Sequence, residues 1–302
     1  MNKPLGIVVA IKVIVYNHEP YLRDCLEGFV MQQTNFPFVA IVHDDASTDG
    51  SAAIIREYEE KYPNIIKPIY ETENQYSKHD GSLGRIINAA VDATGAKYVA
   101  MCEGDDYWTD SLKLQKQVDF LDSHPEYSMC FHAAEIKNET ATRIIIACQN
   151  IEEKEYFTND IFPRWVVPTA SVVYRKSMVD SFPPLKNAHW IKYGDIVLFL
   201  QCTHTGRVWG MKDKMSIYRM TSNGAVVSQG LDPRNAERTY LHYKFLMLNF
   251  PQLNKNVKYC LSQASYSCFR IKSKNIFKRI LFLFEACILS PKYIVMKMKN
   301  LL

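Results

Sequence analysis

The chain has 302 residues, 47% hydrophobic and 23% charged, with a formal net charge of +4. That balance supports a globular fold with a substantial core and excludes a disordered chain. The charge is uneven: residues 270–302 hold eight Lys or Arg against one acid, Glu285, a net +7 that leaves −3 for residues 1–269, and no stacking motif accompanies it, so nucleic acid is not an expected partner.

The eight cysteines (Cys25, Cys102, Cys130, Cys148, Cys202, Cys260, Cys268 and Cys287) form no CxxC pair and lack the dense spacing of a disulfide scaffold. Reduced thiols in a cytoplasmic protein are expected. The apolar run Ile7–Val15 is interrupted by Lys12 and lacks a small-residue cleavage site, so no signal peptide is expected. No stretch reaches the ~18 consecutive apolar residues of a spanning helix, which predicts a soluble or peripheral chain.

In chain order, the β-branched run Ile7–Val15 predicts a strand ending at Tyr16-Asn17-His18-Glu19-Pro20. Leu22, Leu26, Phe29 and Val30 then recur at helical spacing, with Pro20 near the start. A second strand, Val39–His43, runs into Asp44-Asp45-Ala46-Ser47-Thr48-Asp49-Gly50 and a helix from about Ser51 to Tyr62. Strand three is Ile65–Tyr70; after the polar loop Glu71–Gly81 a helix covers Ser82–Thr94. Strand four, Tyr98–Cys102, leads into Glu103-Gly104-Asp105-Asp106-Tyr107-Trp108. Strand and helix alternate four times, which predicts βαβ units and a largely parallel sheet.

Beyond about residue 125 the pattern loosens. Strands are expected at Ser128–Ala134, Arg143–Ala147, Pro168–Tyr174, Arg207–Met211 and Met215–Arg219, with a helix at Asp195–Cys202 and mostly helix from Pro233 onward. The expected domains are 1–228, divided into a nucleotide-binding half 1–110 and an acceptor-binding half 111–228, and a helical region 229–302.

Three strand ends deliver polar residues to one edge of the sheet, because carboxyl ends of parallel strands face the same way. Ligands bind at that edge in open α/β sheets. Three carboxylates within Glu103–Asp106 repel one another unless a cation or hydrogen bonds compensate them, which points to a hard divalent cation holding a diphosphate. Taken alone, Asp105, Asp106 and Asp110 also read as caps of the helix near Leu112–Ser123. Asp44 or Asp45 suits a nucleobase N–H, Asp105 the metal and Glu103 the ribose hydroxyls.

In this ordered set the chain resembles the inverting glycosyltransferases of family 2, which carry the nucleotide-sugar-binding GT-A fold. The family's YN-x-E, DD-x-S-TD, N-x-x-x-x-x-A-x-G and D-x-D-D segments correspond to Tyr16–Glu19, Asp44–Asp49, Asn88 through Ala93 and Gly95, and Glu103–Asp106, over roughly residues 5–220. The resemblance implies an α/β fold with a mostly parallel central sheet flanked by helices and a helical C-terminal region. It implies that Asp45 reads a uracil or similar base, with Tyr16, Asn17, Glu19, Asp44, Asn88 and Gly104 around the nucleotide, and that Asp105 binds Mn²⁺ or Mg²⁺ at the diphosphate. Glu103 replaces the family's more frequent Asp. Arg85 is a candidate for the phosphates, and equally a solvated helix residue.

Inverting transfer needs a base for the acceptor hydroxyl. The family places an acid at a helix start in the second half, and Tyr193-Gly194-Asp195 fits; Asp195 is also a natural N-cap. Trp108, His189 and Trp190 are candidate walls for the acceptor, or ordinary buried rings. Ile217–Gly224 resembles the family's YR-x-H-x-x-G loop over the diphosphate, with Arg219 toward phosphate and Thr221 in place of the His.

Residues 270–302 combine Ile271, Ile276, Ile280, Leu281, Leu283, Phe284, Ile288 and Leu289 with the basic cluster. This reads either as a helix on an anionic membrane surface or as a packed C-terminal helix with a solvated basic face. The expected function is transfer from a nucleotide-sugar donor, a UDP-sugar, to a glycan or lipid-linked acceptor in cell-surface polysaccharide or lipopolysaccharide assembly. Rivals are a nucleotidyltransferase, which wants a Gly-rich basic loop after strand one, and a catalytically inactive sugar-nucleotide-binding protein.

Overall fold

The computed structural model describes residues 6–139, 150–164, 166–221, 233–271 and 275–299. The expected strand Arg143–Ala147, the Ser222–Gly224 end of the diphosphate loop, and Lys272 and Lys274 of the tail lie outside the described residues.

The first half alternates as its hydrophobic pattern predicts. β1 (Val9–Val15), α1 (Leu22–Val30), β2 (Phe38–Asp44), α2 (Ser51–Lys61), β3 (Ile66–Tyr70), α3 (Ser82–Ala93) and β4 (Tyr98–Glu103) follow in order. β1 pairs in parallel with β2 and β4, and β2 with β3. Side chains alternate between the faces of a strand. The odd positions Val9, Ile11, Val13 and Val15 enter a core with Leu22, Leu26 and Phe29 of α1 and Ile54, Ile55 and Tyr58 of α2. On the opposite face Lys12 reaches α3, whose Asn88 Oδ1 accepts its Nζ–H at 2.8 Å. Coverage of both faces is why these strands are almost continuously apolar.

The second half adds β5 (Tyr107–Trp108), α4 (Lys113–Ser123), β6 (Tyr127–Asn138), β7 (Lys154–Glu155), α5 (Thr158–Ile161), β8 (Val173–Arg175), α6 (Lys176–Asp180), α7 (Gly194–Thr205) and β9 (Arg207–Met220). Together the strands form one nine-stranded sheet, order β3-β2-β1-β4-β8-β6-β9-β5, with β7 on β9. β8 runs antiparallel to β4 and β6, so this half is mixed.

Two expectations change. The strands Arg207–Met211 and Met215–Arg219 are one strand, β9: register shifts against His132, Ala133 and Ala134 absorb Lys212 and Asp213 as a bulge, so a polar interruption does not break pairing. Only the end of Pro168–Tyr174 is extended; Thr169–Ser171 forms a 3₁₀ turn that closes on Pro168.

Helices complete the chain as expected: α8 (Pro233–Asn249), α9 (Asn254–Phe269), α10 (Ile276–Leu289) and α11 (Pro291–Lys299). Among the described residues, no helix is long and apolar enough to cross a membrane. The chain divides into two compact units, Met1–Phe182 with Gln201–Ser222, and Pro183–Leu200 with Asn223–Leu302. Against the expected break after residue 228, the helical unit therefore also takes Pro183–Leu200, which carries His189, Trp190 and Asp195.

Candidate active site

The parallel registers bring the three polar stations to one rim of the sheet unit. Asp44, the last residue of β2, lies opposite Val15, and Glu103, the last of β4, opposite Ile14. Backbone bonds carry the alignment past the strands: Asp45 N donates to Val15 O at 2.9 Å, and Gly104 N to Ile14 O at 3.0 Å. Gly104 is required by this close approach, since a Cβ there would lie 2.7 Å from His18 Nδ1.

Segments Asn17–Glu19 and Ser47–Ser51 are zipped together. Asn17 N donates to Ser47 Oγ (3.0 Å), His18 N to Ser51 Oγ (2.9 Å) and Glu19 N to Asp49 Oδ2 (3.0 Å). In return Asn17 Oδ1 accepts from Thr48 N (2.8 Å) and Glu19 Oε2 from Gly50 N (2.8 Å). Asn17 takes a left-handed backbone, φ 55°, which Asn tolerates better than most residues. The side chains of Asn17 and Glu19 thus brace the two segments while both residues stay exposed at the rim, as does Tyr16, 44% exposed.

Asp44 and Asp45 are both buried. Asp44 Oδ1 accepts from Ser47 N at 3.2 Å. The two oxygens of Asp45 accept the backbone N–H groups of Gln75 (2.6 Å) and Tyr76 (3.0 Å), which folds the loop between β3 and α3 onto the rim. Asp45 is therefore a loop anchor and not the open imide acceptor expected from sequence. The loop it holds presents the exposed ring of Tyr76.

At the third station the carboxylates separate by environment. Asp105 is partly exposed, and no hydrogen bond or salt bridge among the described residues uses its carboxylate. Asp106 is buried: Oδ1 accepts Arg219 N at 2.8 Å, Oδ2 has no partner among the described residues, and burial, then the charge of Asp105, pushes its carboxyl well above the usual range. Glu103 is exposed on the rim.

Arg219 is corrected from phosphate contact to internal clamp. Its side chain is 2% exposed, pairs with Asp24 of α1, donates from Nη1 to the Asp105 carbonyl at 3.0 Å, and lies over the Tyr107 ring at 4.4 Å. One buried guanidinium thus ties β9, α1 and the acidic turn together. Trp108 is likewise interior: Nε1 donates to Ala170 O at 2.8 Å, its ring meets Phe29 edge-on at 4.9 Å, and it is no acceptor wall. Asn88, exposed on α3, accepts from Lys12, which lies three residues before the end of β1. Arg85 is exposed on α3 and donates to Asp80 O at 2.7 Å.

In the helical unit, Asp195 occupies the first turn of α7, partly buried, and burial raises its carboxyl. His189 is exposed and Trp190 half-buried, their rings 5.8 Å apart. His18 was not anticipated: its Nδ1 is buried beside Gly104 with no partner among the described residues, and burial pulls the imidazole down against the opposing charges of Asp105 and Asp49. Its only sequence signal is its place within the first station.

Among the described residues, no three His, Cys, Asp or Glu side chains gather closely enough to hold a metal alone. A small divalent cation shared with a diphosphate needs only one or two carboxylates. Asp105, uncommitted and solvent-accessible beside the unpartnered buried Asp106 Oδ2, fits that second arrangement, with a hard oxygen donor of the right charge.

Residues 10–181 match the family described as Glycosyl transferase family 2. The uncharacterized protein Rv1520 of Mycobacterium tuberculosis is 34% identical over 239 residues, 78% of this chain and 65% of that protein, so the match spans just under two thirds of the relative's length. Two solved structures share the architecture at low identity. Staphylococcus aureus TarS 1–349 in complex with UDP-GlcNAc has a TM-score of 0.62 at 17% identity, covering 94% of this chain and 81% of that one. The mannosyltransferase PcManGT of Pyrobaculum calidifontis, in complex with GDP-Man and Mn²⁺, has a TM-score of 0.56 at 14% identity, covering 95% and 84%. The GT-A architecture expected from the strand-end motifs is the one present, and with more than half its length matched, the chain belongs to glycosyl transferase family 2.

Proposed function

We propose that the protein transfers a sugar, with inversion, from a nucleoside diphosphate donor to an acceptor hydroxyl. The observation that carries this reading is the rim itself: three strand ends locked side by side, with Asp105 as the carboxylate left uncommitted. The donor we favour is a UDP-sugar, because TarS holds UDP-GlcNAc in the same fold. The acceptor we favour is a growing cell-surface glycan on a lipid carrier, at the inner face of the membrane.

In this reading Tyr16 and the Tyr76 loop border the base, and Asp45 acts by holding that loop. Glu103 and Gly104 border the ribose, and Arg85 contributes charge near the phosphates. Asp105 would hold Mn²⁺ or Mg²⁺, which when bound neutralises charge developing on the departing diphosphate. Asp106 and Arg219 keep the turn that presents Asp105 rigid. His189 and Trp190 are proposed acceptor contacts. Asp195 takes the proton of the attacking hydroxyl; burial raises its carboxyl, which makes the carboxylate a stronger base than an ordinary Asp.

A panel of nucleotide sugars with Mn²⁺, scored for nucleoside diphosphate release and product formation, tests the assignment. Asp195→Asn should bind donor normally and lose at least about a hundredfold in turnover, whereas Asp105→Ala should lose metal-dependent donor binding as well. Wild-type turnover should fall on the acid side at a pH above the ordinary Asp range, since protonation removes the base. Turnover surviving in both variants would refute the reading, and donor binding without any turnover in wild type would favour a pure binder.

A further inference from the structure

Helix α10 carries the sequence Ile276-Phe277-Lys278-Arg279-Ile280-Leu281-Phe282-Leu283-Phe284-Glu285-Ala286-Cys287-Ile288-Leu289 and is apolar on two faces, of which the fold covers one. On the covered face, Ala286 is fully buried and joins Tyr266, Tyr293 and Ile294 in a small core with Leu283 and Cys287 against it. Phe282 meets Tyr240 edge-on at 5.1 Å, and Ser262 Oγ donates to Ala286 O at 2.9 Å. The other face holds Phe277 (72% exposed), Ile280, Leu281 (66%), Phe284 (64%) and Ile288 (64%). Their spacing of three and four residues makes one continuous stripe. A soluble helix rarely leaves five large apolar side chains in water together.

The charge around the stripe identifies its partner. Residues 276–299 contain Lys278, Arg279, Lys292, Lys297 and Lys299 against the single acid Glu285, a net +4. Glu285 belongs to the covered side: its carboxylate accepts from Ser265 Oγ at 3.1 Å and lies 3.5 Å from Lys244 Nζ. Lys278 and Lys292 are exposed, and α11 adds exposed Val295 and Met296. A second copy of this chain would bring cations onto cations. An anionic bilayer satisfies both features, taking the apolar stripe among its acyl chains and the lysines at its head groups. With 14 residues α10 is about 21 Å long, short of the ~30 Å hydrocarbon core, so it lies in the plane of the surface. Leu281, Phe284 and Ile288 also border a groove of about 470 Å³ against Tyr240, with room for part of an acyl chain.

We propose that the exposed face of α10, with the lysines beside it, attaches the protein in the plane of an anionic phospholipid bilayer. This deepens the lipid-carrier part of the reading above, but its test uses no donor, so the two fail separately.

Full-length protein is sedimented with vesicles of mixed phosphatidylglycerol and phosphatidylcholine, and with phosphatidylcholine alone. Wild type should bind the mixed vesicles, more weakly as salt is raised. Phe277→Glu/Phe284→Glu should lower the partition coefficient at least about tenfold, by removing apolar anchors and adding repulsion. Lys278→Glu/Lys292→Glu, which leaves the stripe intact, should abolish the preference for anionic vesicles. Circular dichroism of both variants should match wild type. Equal partition of wild type and both variants would overturn the proposal. So would a lipid-free dimer that Phe277→Glu/Phe284→Glu converts to monomer, because a second copy would then cover the stripe.

Discussion

The sheet unit and the helical unit solve opposite problems with the same residue types. In the sheet unit charge is taken inside: Arg219, Asp106 and Lys113 are all buried, and each is placed by specific partners. In α10 of the helical unit apolar bulk is left outside, with cations around it. Burying charge is costly and persists where geometry must be held; exposing a contiguous apolar stripe is costly and persists where a partner covers it. The contrast teaches that function is read from the places where each unit departs from the economical arrangement.

The sharpest way to break this comparison is at the clamp. Arg219→Ala removes the ion pair to Asp24, the hydrogen bond to the Asp105 carbonyl and the stacking on Tyr107. Because Asp24 is 57% exposed, part of the pair is screened, and a loss of about 2–3 kcal/mol is expected in denaturant unfolding. A loss near zero would mean that Arg219 does not hold the acidic turn.

A smaller, pH-dependent effect is expected at Lys113. Its ammonium is fully buried, 2.8 Å from Gln117 Oε1 and 4.0 Å above the Trp108 ring, and burial lowers its pKa to about 7. The unfolded chain binds more protons between pH 7 and about 10.5, so this site makes folding progressively more favourable as pH rises through that window. Below pH 7 both states are charged and the full burial cost applies. Lys113→Met should therefore stabilise by about 1–2 kcal/mol at pH 6, after the loss of the Gln117 bond, and its advantage should vanish toward pH 10. Parallel melting curves of the two proteins across that range would show that the lysine is not the titrating group.

The smallest effect belongs to the helical unit. Phe277→Ser on the exposed stripe should change unfolding free energy by less than about 0.5 kcal/mol, since the side chain packs on little within the fold. A cost of several kcal/mol would show that the stripe is already covered.

The βαβ half was legible because β-branched runs ending in acids carry strand, direction and rim in one short string, as in Ile7–Glu19 and Val39–Gly50. Partnership was not. Nothing in the string Glu103–Asp106 distinguishes Asp105, left accessible, from Asp106, bonded to Arg219 N over a hundred residues away. Trp108 reads as a sugar platform until the Ala170 carbonyl and Phe29 are seen around it. Asn88 belongs to the family's segment, yet its partner, Lys12, sits on a strand 76 residues earlier. The polar break Lys212–Lys214 suggested two strands because local pattern cannot register a bulge, which is a property of the pair β6–β9.

By itself, then, the sequence determined the order of strands and helices, the edge where acids collect, and the amphipathic cationic tail, since each follows from neighbours within a few residues. Tertiary structure alone decided which of those acids stays accessible and which is an anchor, and which face of α10 is exposed among the described residues. Both depend on the environment that distant segments create, because a carboxylate's charge and a phenyl ring's exposure are fixed by what packs against them.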